Sequence, residues 1–117
     1  MDKLNQKRCV PCEGGELPLP KEKIQEYLKK VPEWRLTNSK TLKGKEHPLI
    51  YRDFQFTDFV GTMKFVNKVA DLAESEGHHP DVYIHQWNKL RLELWTHATG
   101  GLHENDFIMA AKIDQIK

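Results

Sequence analysis

The sequence predicts an α+β domain of two layers: a four-stranded antiparallel sheet with helices packed on one face, in the order α-β-β-α-β-β-α. Three observations carry that expectation. Apolar residues recur at helical spacing around residues 24–31, 59–73 and 108–116. Between those segments apolar and polar side chains alternate, the two-residue period of half-buried strands. The strands come in pairs joined by short polar links, which suit hairpins and are too short for a parallel crossover.

The first 20 residues carry Pro11, Gly14, Gly15, Pro18 and Pro20 with few apolar side chains, the composition of an irregular N-terminal arm before a single domain over residues 21–117. In the first helix Ile24, Tyr27, Leu28 and Val31 share a face, and the helix must stop by Pro32, which pushes its predecessor away from the helical region. Trp34-Arg35-Leu36 opens a strand, and Asn38-Ser39 offers turn chemistry. A second strand from about Leu49 to Phe56 puts Ile50, Arg52, Phe54 and Phe56 on one face. Thr57 is placed to cap a long helix with Asp58 in its first turn. Along that helix Phe59, Val60, Met63, Val66, Val69, Ala70 and Ala73 form an apolar stripe read as core, and Gly77 is the stop.

Asp81–Trp87 and Leu90–His97 read as a hairpin joined at Asn88-Lys89. Leu90, Leu92 and Leu94 share one face of its second strand, with Arg91, Glu93, Trp95 and His97 on the other. Tyr83, His85, Trp87 and Trp95 are expected on the face without helices, a surface able to take a partner. A last helix from about Glu104 to Ile116 carries Ile108, Met109, Ile113 and Ile116.

Composition removes several function classes. Eighteen basic against seventeen acidic side chains, with no Lys/Arg block, argue against direct nucleic-acid binding. The longest wholly apolar runs are about five residues, such as Phe107 to Ala111, against the roughly 20 that a membrane helix needs. The polar start, Met1 to Cys9, lacks the apolar stretch of a secretory signal, so a cytoplasmic protein is expected. Cys9-x-x-Cys12 supplies at best half of a zinc site and reads as part of a solvated tail.

The chemistry concentrates in the second half. Histidine alone titrates near neutral pH without help from its surroundings, so His78, His79 and His97, together with Asp106, point to acid/base work or metal binding. His78-His79-Pro80 follows the long helix directly, and His97 stands where a strand runs out into Ala98-Thr99-Gly100-Gly101. Adjacent histidines cannot both point inward from a strand, so the pair belongs on a turn. Taken singly, the bland readings are exposed imidazoles for His78 and His79, a surface or hydrogen-bonded ring for His97, and a helix N-terminal acid for Asp106. Metal binding is disfavoured, because no His-x-His or His-x-x-x-His spacing occurs.

The order and spacing of these residues resemble the pterin-4a-carbinolamine dehydratase family: Glu74, three residues, His78-His79-Pro80, six residues, Trp87, nine residues, His97, eight residues, Asp106. The resemblance extends through Trp34, Arg52, Phe54-x-Phe56, Asn88-Lys89, Thr96-His97 and Gly101-Leu102, over roughly residues 21 to 117. One departure is His103, where the family usually has Ser or Thr to cap the last helix. The resemblance implies dehydration of 4a-hydroxytetrahydropterin to quinonoid dihydropterin and water, in tetrahydrobiopterin recycling, with no cofactor and no metal. It implies His78, His79 and His97 as catalytic residues. It also implies His79, Trp34, Glu74 and Asp106 as substrate-binding, with Asp106 orienting an imidazole and Trp34 a wall able to stack on a flat ring. Homodimers and homotetramers are the family's precedents. It leaves an alternative open: a non-catalytic dimerisation cofactor, or a pterin-binding protein linked to molybdopterin metabolism, as with some relatives that carry a similar arm.

Overall fold

The computed structural model describes residues 4–10, 17–40, 44 and 46–116. After a single 3-10 turn at Leu4–Gln6 come α1 (Lys21–Leu28), β1 (Arg35–Lys40), β2 (Glu46–Gln55), α2 (Phe59–Glu76), β3 (Asp81–His85), β4 (Lys89–Leu94) and α3 (Glu104–Ile113). The four strands form one antiparallel sheet in the order β1-β2-β4-β3, so the predicted architecture is the observed one. No helix among the described residues is long and apolar enough to cross a membrane.

The core lies between the helices and one face of the sheet. Leu90, Leu92 and Leu94 are fully buried there, on the face expected for them, with Ile50 beside them on β2. Phe107, Ile108, Met109, Ala110 and Ile113 of α3 cover them, joined by Ile24, Val69 and Ala73 from the other helices. Tyr27 stacks on Phe107 at 5.0 Å, which ties α1 to α3.

Several element boundaries differ from expectation, each for a physical reason. Asn38 and Ser39 do not turn the chain: they pair with Pro48 and His47, and β1 continues to Lys40. The reversal therefore falls beyond Lys40, where Gly44 takes the left-handed φ of 79° that glycine adopts without strain. The cap of α2 is Asp58 rather than Thr57; its carboxylate accepts from the Gly61 amide at 2.7 Å. Gly77, at φ 67°, does end that helix in the left-handed conformation.

The apolar stripe predicted for α2 is only partly core. Thr62, Val69 and Ala73 are buried, with Phe65, Val66 and Leu72 packed beside them, whereas Phe59 and Val60 are 52% and 60% exposed. Apolar residues occupy so much of this helix's circumference that periodicity alone cannot say which arc faces the sheet.

The hairpin turn lies at Gln86-Trp87-Asn88, since His85 pairs with Lys89. Gln86 and Trp87 both take positive φ, 48° and 53°, an uncommon pair for residues with a Cβ. Asn88 holds the turn in place: its side chain donates to the Phe56 carbonyl, and its own carbonyl accepts from the Phe56 amide. Trp87 is thus at the turn tip, 64% exposed, and not on the sheet. The uncovered face is also less aromatic than expected. Arg91 sits over the Tyr51 ring and pairs with Asp53, while Trp95 is half-buried between two imidazoles.

The arm is not a solvated tail over its described part. Leu4 is buried, Lys7 bonds Glu104 at 2.8 Å, and Cys9 packs against the core. Cys12 lies outside the described residues, so the expectation for a Cys9–Cys12 pair has no structural counterpart here.

Candidate active site

His78 leaves α2 through the Gly77 cap, which aims its ring at the N-terminus of α3. There Nε2 lies 2.6 Å from Asp106 Oδ1. Asp106 is completely buried, and two further donors reach its other oxygen: Thr96 Oγ1 at 2.9 Å and the His103 backbone amide at 2.9 Å. Three donors on one carboxylate satisfy it without water and hold it in place. With Nε2 of His78 committed to Asp106, Nδ1 is the nitrogen left to exchange a proton with a ligand.

The last helix keeps its cap despite the departure at His103. The His103 ring accepts from the Asn105 amide at 3.0 Å through Nδ1, while Asp106 returns a bond to the His103 backbone. An imidazole here replaces the hydroxyl of a Ser or Thr in a capping box. Asp106 is therefore at once a helix-cap acid and the partner of His78.

His79 turns the other way. Its Nε2 lies 2.6 Å from Glu74 Oε2, and both side chains are exposed. These two line one end of an apolar groove of about 420 Å³, bounded by Val66, Val69, Ala70 and Ala73 of α2 and by Pro80 and Val82.

His97 follows Thr96 in the chain, but its ring shares no hydrogen bond with the Asp106 cluster among the described residues. Its ring lies on Trp95 at 3.8 Å between centroids. Among the described residues no hydrogen bond holds it. Trp34 belongs to a different cluster: it is buried, and its indole N–H donates to Asp114 Oδ1 at 2.9 Å, the same oxygen that takes Arg52 Nη1. It shares no hydrogen bond or ring contact with the three imidazoles. Among the described residues no three His, Cys, Asp or Glu side chains converge to hold a metal ion.

Sequence reasoning did not assign three participants. Thr96 gave only its place beside His97. Glu76 gave none; it takes the Cys9 amide at 2.8 Å and Lys112 at 3.0 Å immediately before the Gly77-His78 turn. Asn105, next to Asp106, exchanges bonds with the Val10 backbone in both directions. The arm is thus tied to both segments that carry the His78–Asp106 pair.

A family model described as pterin 4 alpha carbinolamine dehydratase matches residues 17–116. The chain is 44% identical over 116 residues to a mitochondrial pterin-4-alpha-carbinolamine dehydratase of Arabidopsis thaliana, covering 97% of this chain and 59% of that longer protein. A Chlorobaculum tepidum protein given the same enzyme name provisionally is 44% identical over 117 residues, 99% of each chain. Among solved structures, a Brucella melitensis protein described as a transcriptional coactivator/pterin dehydratase superposes with a TM-score of 0.70 at 28% identity, over 83% of this chain and 95% of that one. A pterin dehydratase-like protein described as a RuBisCO assembly factor in the alpha-carboxysome superposes with a TM-score of 0.55 at 25% identity, over 70% and 86%.

Proposed function

Since the chain belongs to the pterin 4 alpha carbinolamine dehydratase family, a family of hydro-lyases, we propose that it dehydrates 4a-hydroxytetrahydropterin to quinonoid dihydropterin and water by histidine acid/base catalysis. The observation that supports this reading most is the convergence of His78, Thr96 and the His103 amide on buried Asp106, with His97 one residue from Thr96. In the reaction the C4a–O bond breaks as the oxygen takes a proton, and the ring N–H gives up its proton so that its electron pair forms the new C=N bond. One group must donate and another accept. His78, through Nδ1, and His97 are the pair assigned to those transfers, each worth roughly a hundred- to ten-thousandfold. His79, bonded to Glu74, is assigned to substrate binding and as a further base. Asp106 holds the His78 tautomer, and no redox partner is needed because no electrons leave the substrate. Trp34, expected as a wall for the flat ring, is buried and bonded to Asp114 instead and is given no part in this step. Tetrahydrobiopterin recycling is the setting in which such a product is consumed.

A non-catalytic role is the second reading, supported by the likeness to the Brucella coactivator/dehydratase and to the carboxysome assembly factor. The complete imidazole and carboxylate set in this chain favours catalysis. A dehydration assay on synthetic 4a-hydroxytetrahydropterin, run on wild type, His78→Ala and His97→Ala, separates the two. Turnover above the uncatalysed rate that falls in both variants, at unchanged melting temperature, supports the enzyme; equal rates in all three proteins remove it.

The partner proposed besides the substrate is a second copy of the chain. Val82, Tyr83 and Ile84 on the edge strand β3, and Phe59 and Val60 on α2, leave apolar surface exposed, and Val82 also lines the 420 Å³ groove.

A further inference from the structure

The reading above leaves one buried imidazole without a task. His47, near the start of β2, is 5% exposed, and its Nδ1 lies 3.2 Å from the Pro48 carbonyl. Its ring lies on Trp95 at 3.5 Å between centroids, with the planes only 18° apart. His97 lies on the same indole at 3.8 Å and 40°. Two rings with both centroids that close to one indole cannot share a face without overlapping, so Trp95 is held between them. The His97 ring is exposed and makes no side-chain hydrogen bond among the described residues, although the His97 backbone carbonyl accepts from the Gly100 amide. Ring contact with Trp95 is therefore what fixes its direction, and His47 is what fixes Trp95 from behind.

We propose that His47 is a positioning residue for this reaction: stacked against the far face of Trp95, it sets where the indole presents His97 to the substrate. This rests on the assignment of His97 as a proton-transfer group. Flat rings prefer offset stacking, and a tryptophan backed on one side by a rigid buried ring has less room to tilt than one backed by an aliphatic chain. A proton-transfer group must come within hydrogen-bond reach of its proton, so a small tilt of the indole is magnified at the exposed His97 ring. The role asked of His47 is a flat ring, with no demand on its charge. Phe can therefore replace it, and Leu, of similar bulk but without a ring face, cannot.

The test measures kcat and KM for dehydration in His47→Leu, His47→Phe and His97→Ala. It is paired with proton–carbon NMR of the His97 ring, whose hydrogens feel the ring current of Trp95. His47→Leu is expected to lose about tenfold in kcat with KM within about twofold of wild type, and its His97 ring signals should move away from their ring-current-shifted positions. His47→Phe is expected to recover kcat to within about threefold and to restore those signals. Wild-type kcat in His47→Leu, or a Phe variant as slow as Leu, overturns the proposal. His97→Ala keeps the two ideas apart. If it is fully active, the catalytic assignment of His97 falls, and the ring signals alone decide whether His47 positions it. Should His47→Leu fail to fold, His47→Gln, which keeps a donor for the Pro48 carbonyl but has no ring face, takes its place under the same criteria.

Discussion

Asp106 shows how much one buried side chain is asked to do. It has no exposure and three donors, and its oxygens divide between the His78 ring on one side and Thr96 with the helix cap on the other. Asp106→Asn keeps the shape but turns one acceptor into a donor facing a donor. That change is expected to lower kcat by about a hundredfold or more and stability by about 1–3 kcal/mol, read by the dehydration assay and by urea denaturation. Cys9 makes a contrasting case. Burial pushes its thiol up to about 12, with the Glu76 carboxylate adding to the effect. Only the thiolate reacts, so in a Cys12→Ser background iodoacetamide should label native Cys9 slowly at pH 8 and rapidly in denaturant. Equal labelling in both would contradict the burial. At this scale His78, His79, His97 and Asp106 could be singled out because their order and spacing form a motif, and the structure pairs two of them, His78 with Asp106. Thr96 and His47 were not: a hydroxyl or ring contact across the sheet leaves no periodic trace in sequence.

Among the elements, the arm changes most between sequence and structure. Its composition reads as irregular, and irregular it is, yet Lys7 and Cys9 supply partners to two acids on different helices. Burial works to raise the Glu76 carboxyl, but the bonds from the Cys9 amide and the Lys112 ammonium outweigh it and hold the group below the usual carboxylate range. The Lys7 bond does the same for Glu104, against the opposing effect of burial. A carboxyl whose pKa is lower folded than unfolded stabilises above its unfolded value, and that contribution is lost as pH falls through the folded one. The melting temperature should therefore fall as pH drops from about 5 towards 3, and Glu76→Gln with Glu104→Gln should flatten that slope. A double variant as acid-sensitive as wild type would remove the arm's acids from the explanation. Glu76→Ala should cost about 2–3 kcal/mol, since Lys112 and the Cys9 amide both lose a largely buried partner. Elsewhere the strand pairs and the three helices were legible from periodicity, and their ends were not. Asn38-Ser39 has turn chemistry but pairs as strand, because the ladder to Pro48 and His47 satisfies more backbone than a turn there could.

Across the whole molecule, the surface that the helices and sheet leave uncovered argues for association. α2 is apolar over more of its circumference than one contact with the sheet can bury, which is why the predicted core stripe divides into a buried part and an exposed one at Phe59 and Val60. The edge strand β3 adds exposed Val82, Tyr83 and Ile84, with backbone groups on its free side that a second strand can pair. A stable interface buries about 1,600 Å² in total, and an exposed apolar helix flank and a free strand edge are the kinds of surface that contribute to one. Closed twofold symmetry is the commonest way for identical chains to satisfy such a surface. Wild type at tens of micromolar should therefore scatter light at a multiple of 13.7 kDa. Val60→Asp combined with Val82→Lys should shift it towards 13.7 kDa with its circular dichroism retained. His78 and Asp106 belong to the same chain, so turnover per chain should survive that dissociation in substantial part. A wild type already at the single-chain mass would overturn the expectation and leave the exposed flank of α2 without an occupant.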